Sequence, residues 1–143
     1  MAGKAADNSW IGAMIAMDRS QRVFGDFVKP ILARHNADLS TPLLLFLLNI
    51  GTGDAHVNDI VNDGRYVGSN ATYAINSLIK QGYIERRQDP SDRRNGILRY
   101  TKKGSDLERA VQHALKANTK AHREICNLLV FFDNHCARLP DSV

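Results

Sequence analysis

From Gly82 to Gly104 the chain reads GYIERRQDPSDRRNGILRYTKKG, and this stretch decides the fold. Tyr83 to Gln88 and Gly96 to Thr101 have the apolar and β-branched content of two short strands. The segment between them, Asp89 to Asn95, is rich in turn-forming Asp, Pro, Ser and Asn. The reading is a β-hairpin with a basic tip. Between Ile84 and Lys103 lie seven positive residues and three negative ones, so this window carries the whole formal net charge of +4. Charge concentrated on one element is the electrostatic footprint of a phosphate-contacting surface.

Working toward the N-terminus, Gly82 ends a helix. Residues 69–81 have helical periodicity, with Ala71, Ala74, Ile75 and Leu78 on one face. The opposite face carries Ser69, Asn70, Thr72, Tyr73, Asn76, Ser77 and Lys80. Asn makes bidentate contacts with adenine, and Ser, Thr and Tyr reach base edges or phosphates, so these seven are the candidate DNA readers. Before this helix, Asn58 is placed to cap a one- to two-turn helix reaching Asp63, and Ala55-His56-Val57 is long enough only for a strand stub. An apolar helix, Pro42 to Ile50, follows Ser40 and stops at Gly51 and Gly53. Two helices around a tight turn, then a hairpin, make a winged helix-turn-helix. In the wing, 89–95, Arg93 and Arg94 suit a narrow minor groove. Asp92, two residues before Arg94, is expected to orient its guanidinium in a forked pair.

Flanking this lobe are two long amphipathic segments. Trp10, Met14, Met17, Phe24, Phe27, Val28 and Ile31 form one stripe behind a Ser9 cap, and Pro30 predicts a kink or a new helix start. From Ser105 to Leu139 there is neither Gly nor Pro, and steps of four and three join Leu107, Val111, Ala114, Asn118, Ala121, Ile125, Leu128, Phe132, His135 and Leu139. Such a seam points to helix–helix association, with Asn118 as a candidate register-setting polar residue. The lobe offers too little apolar surface to cover both segments. The expected architecture is therefore mainly α with a small β-hairpin, a winged helix-turn-helix with N- and C-terminal dimerisation helices. Whether the C-terminal segment is one helix or two stays open.

Hydrophobic residues make up 43% of the 143, enough for a packed core, yet the longest apolar run is far too short to span a bilayer. No signal-peptide pattern is present, and the chain is read as cytoplasmic. Cys126 and Cys136 are no disulfide framework. Placed on one helix they lie about 15 Å apart, which excludes a bond within one chain. There is no Gly-x-Ser-x-Gly, phosphate loop or zinc-protease His pair, so no enzyme, metal site or cofactor is expected.

Gly82 to Gly104 closely resembles the wing of the MarR family of transcription regulators, whose signature is Asp-x-Arg, five residues, then Leu-Thr and a nearby Gly. Asp92, Arg94, Thr101 and Gly104 stand in register, with Tyr100 in place of the leucine. Ile60 and Ser69 also fall on matching positions, and the resemblance covers about Leu39 to Leu107. Residues 65–70, RYVGSN, resemble the LdtR branch. The resemblance implies a single MarR-type domain over 1–143, with 9–36 and 105–139 as dimerisation helices and 40–104 as the winged lobe. It further implies a homodimer on pseudo-palindromic double-stranded DNA, with Asp92 orienting the wing and Arg93 or Arg94 in the minor groove. A small-molecule effector is implied as a further partner, and a membrane is not. The competing reading is a winged-helix protein–protein module that never touches DNA, which an apolar outer helix face would favour.

Overall fold

A run of leucines needs a defined start to become a helix, and Ser40 supplies it. Its hydroxyl accepts the Leu43 amide at 3.4 Å, and Pro42 occupies the first turn, where no backbone donor is needed. In the computed structural model, which describes residues 10–64 and 66–118, this helix is α2 (Thr41–Ile50). It stops at Gly51, whose φ of +72° takes the chain out of the helix. Leu43, Leu44, Phe46, Leu47 and Ile50 are buried. At about 1.5–3 kcal/mol for each fully buried leucine-sized side chain, α2 is the hydrophobic centre of the lobe.

The N-terminal helix, α1 (Trp10–Arg34), runs through Pro30 without a new start. The ring is exposed, and the Pro30 carbonyl accepts the Arg34 guanidinium at 3.3 Å. Only the lower half of the predicted stripe is covered. Val28 and Ile31 are buried and Phe24 and Phe27 half-buried, whereas Met14 and Met17 are exposed, together with Ile11, Ile15 and Val23. Ser9 lies outside the described residues.

After α2 come β1 (Ala55–His56), α3 (Val57–Asp63), α4 (Gly68–Lys80), β2 (Ile84–Gln88), β3 (Gly96–Tyr100) and α5 (Lys102–Ala117). The three strands form one antiparallel sheet in the order β1-β3-β2. Ile84 pairs with Tyr100 and Gln88 with Gly96 across the hairpin, and Ala55 pairs with Leu98 on its other edge. The α4 reading holds: Ala71, Ala74, Ile75 and Leu78 are all buried. Gly82, at φ +77°, lets the Tyr83 amide turn back to the Leu78 carbonyl at 2.9 Å.

Several element ends shift by a residue from the sequence reading, α4 for one running Gly68–Lys80 instead of 69–81, and two further differences have a visible cause. Asn58 does not cap α3. His56 holds the cap position without a side-chain bond, and Asn58 lies inside the first turn. The cause is β1, which carries the chain straight from sheet into helix. The last helix begins at Lys102 instead of Ser105, because the Thr101 hydroxyl accepts the Gly104 amide at 3.2 Å, as an N-cap does.

Tyr100, standing where the family signature has leucine, is buried. Its hydroxyl donates to the Leu47 carbonyl at 2.7 Å and so satisfies an acceptor in the last turn of α2. Burial, helped by the nearby Glu108 charge, pushes the phenol pKa up to about 12, so it stays a donor at any physiological pH.

The chain divides into two compact units, residues 1–108 and 109–143. Of the second, 109–118 are described: helical to Ala117, with Val111 buried and Asn118 exposed just past the helix end. The remainder of the predicted seam and both cysteines lie outside the described residues. Among those described, no helix is long and apolar enough to cross a membrane.

Candidate nucleic-acid interface

The outer face of α4 is built by elimination. Once the alanine-rich side is buried, Ser69, Asn70, Thr72, Tyr73, Asn76 and Lys80 are exposed and Ser77 half-buried. Ser69, Tyr73, Asn76 and Lys80 follow one another at steps of four, three and four, which places them along the centre of that face. Tyr73 is 72% exposed, so its ring projects instead of lying along the helix. Two of the seven side chains are already engaged. Thr72 donates to the Gly68 carbonyl at 2.9 Å, which leaves its methyl outward, and Ser77 accepts from Gln81 at 3.2 Å. The small Ala71 and Ala74 on the other side keep the helix axis close to its support, so the polar row stands proud of the lobe.

The wing tip is held by its own side chains. Asp92 accepts the backbone amide of Arg94 at 3.0 Å, and its carbonyl accepts the Asn95 amide at 3.0 Å. This corrects the expected forked pair. The carboxylate two residues back reaches the main chain of Arg94 in an Asx turn and leaves the guanidinium free to face outward. Asp92 therefore fixes where the Arg94 side chain starts, not where it ends. Arg93 and Arg94 are both exposed.

A second layer beneath the tip escaped the sequence reading. Asp89 is buried and accepts both the hydroxyl and the amide of Ser91, at 2.6 and 2.8 Å. Its other oxygen lies 3.3 Å from Nδ1 of His56 on β1. Asn95 accepts the Asn58 amide at 3.2 Å and thereby satisfies an orphan donor of α3 from across the sheet. The wing is thus tied at its root to α3. The Asp-Pro-Ser sequence was a usable signal for the Asx turn. His56 and Asn58 gave none, because their partners lie more than thirty residues away.

The Ser91 hydrogen bonds, hydroxyl first, hold the Asp89 carboxyl below its ordinary value of 3.8. A depressed folded-state pKa stabilises the fold above the unfolded value, and that contribution disappears as pH falls through the folded value. Urea midpoints of the wild type should therefore drop more between pH 7 and the acid side of 3.8 than those of Asp89→Asn. Equal drops would show that Asp89 plays no part in acid lability.

A polar helix face flanked by an arginine-tipped hairpin defines a winged helix-turn-helix protein. Residues 38–95 match the model of the MarR family. The chain is 29% identical over 106 residues to the exopolysaccharide II synthesis transcriptional activator ExpG of Rhizobium meliloti (strain 1021). That match covers 73% of this chain and 55% of the relative, so the chain spans about half the length of the curated protein it resembles. Among solved structures, a mutant MarR from E. coli complexed with operator DNA superposes with a TM-score of 0.68 at 16% identity, covering 91% of this chain and 94% of that one. NadR in complex with 4-hydroxyphenylacetate gives 0.67 at 19% identity, covering 94% and 97%. These likenesses establish the winged-helix fold. The match to the MarR family falls on the winged lobe.

Proposed function

We propose that the protein is a cytoplasmic transcription regulator that binds double-stranded DNA as a homodimer, α4 in the major groove and wing 89–95 in the minor groove. The observation that carries this reading is the outer face of α4. Every one of its seven side chains is polar or amphipathic, and Tyr73 and Asn76 at its centre project freely into solvent. A protein-docking helix would present aliphatic residues there. The operator complex of the related fold and the activator role of the curated relative support the same reading.

Dimerisation is supported by the uncovered half of α1, where Ile11, Met14, Ile15 and Met17 share one end of the helix. Two copies would set their reading helices about 34 Å apart, one turn of duplex. An effector is supported by a cavity of about 420 Å³ between α1 and the start of α2, with Leu32 and Leu39 among its apolar lining and Arg22, Asp26, Lys29, Ser40 and Thr41 around it, Arg22 being paired with Asp18 and Lys29 with Asp26. NadR, similar in fold, was solved with 4-hydroxyphenylacetate bound, which supports a small-molecule effector here without fixing its class.

The test is fluorescence anisotropy on genomic duplexes across a salt series, with light scattering on the same sample. The expected result is a dimer whose affinity falls steeply with salt. A monomer, or a protein that binds no duplex in dilute buffer, would refute the proposal.

A further inference from the structure

At the base of the wing the hairpin carries a recess of about 350 Å³, lined by Arg86, Arg87, Gln88, Arg93, Asn95 and Gly96. Among the described residues, no carboxylate lines it and no acidic side chain pairs with Arg86 or Arg93, whereas Arg87 is held by Glu85 at 2.6 Å. Arg86 pairs across the hairpin with Leu98, on the face that continues from buried Ile84 and Tyr100. Where that core runs out, the Nε–Nη2 edge of its guanidinium approaches Gly96. A Cβ at position 96 would fall within 3.0 Å of Arg86 Nε, and the neighbouring guanidinium atoms follow at 3.0 and 3.1 Å. Gly96 therefore provides the room in which this arginine rests.

Two unneutralised guanidinium groups sharing a recess repel one another, and the arrangement is relieved by an anion that accepts from both. Guanidinium forks match the oxygens of a phosphodiester. Arg94 does not line the recess. We infer that Arg86 and Arg93 form a seat for one DNA backbone phosphate at the base of the wing, Gly96 giving Arg86 its place, and that Arg94 alone enters the minor groove. This rests on the DNA-binding reading and divides between two residues the role that the sequence left to either Arg93 or Arg94.

A phosphate contact carries no sequence information, so its loss has a signature of its own. Arg86→Gln and Arg93→Gln should each weaken binding several-fold at low salt, and the two together should reduce the exponent of the salt dependence by about 0.9, the value for one phosphate. The loss should be equal on duplexes with A·T-rich and G·C-rich flanks. Arg86→Lys should restore the exponent, and unchanged melting temperatures should exclude misfolding. An unaltered exponent in the double variant, or a loss confined to one flank composition, overturns the seat while leaving DNA binding in place. If the wild-type chain binds no duplex at all, the control alone reveals it, and both readings fall together.

Discussion

Gly104→Ala is expected to cost about 3 kcal/mol or more of folding stability, although it adds a single methyl group. A Cβ at position 104 would collide with the carbonyl oxygen of Tyr83, a backbone atom that cannot swing aside like a side chain. That carbonyl already accepts the Thr101 amide at 3.1 Å, and the Thr101 hydroxyl beside it donates to the Gly82 carbonyl at 2.6 Å while capping α5. To admit the methyl group, α5 must move away from the start of β2. Overpacking of this kind costs about 1–3 kcal/mol, and each hydrogen bond disturbed at the junction adds about 1 kcal/mol. Lys103, which donates to the Gln81 carbonyl at 2.8 Å and lies 4.2 Å over the Tyr83 ring, would be displaced with it. The check is the urea midpoint with its slope. A shift under about 1 kcal/mol, the lower end for overpacking, would mean that the junction yields and that the glycine of the wing signature is not there for close approach.

The same junction shows how far the sequence could be read. Thr101 and Gly104 were visible as a motif, but their physical meaning, a helix cap and a close approach, required Tyr83 to be in place. Regular elements were legible because they obey a local period: Ala71, Ala74, Ile75 and Leu78 follow the helical repeat and are buried together. The hairpin was legible because five of the seven residues from Asp89 to Asn95 favour turning over pairing. What stayed hidden was decided by distant neighbours. β1 exists only because β3 pairs with it, and that pairing moved the cap of α3 from Asn58 to His56. The His56–Asp89 contact and the Asn95 cap on Asn58 likewise depend on the closed sheet. Asp92 was a different case. Its partner residue was identified correctly and the atom was not, because a backbone amide two residues on is nearer than the end of a long, mobile guanidinium.

That atom determines what Arg94→Ala should do. With Asp92 holding only the main chain, the turn persists when the side chain beyond Cβ is removed, since the bond at 3.0 Å is to the Arg94 amide. The wing should keep its shape and the protein its oligomeric state, so the whole effect should fall on DNA. Arginine in a narrow minor groove gains from the enhanced negative potential there. Loss of one such reading contact is worth about 1–3 kcal/mol, about ten- to a hundredfold in affinity. The loss should be largest where A-tracts narrow the groove beside the half-site and should shrink on G·C-rich flanks, the reverse of the flank-independent behaviour assigned to Arg86. Anisotropy at fixed salt on a pair of duplexes differing only in their flanks separates the two. An Arg94→Ala protein that binds both as tightly as wild type would remove the wing tip from the interface and leave α4 to account for recognition alone.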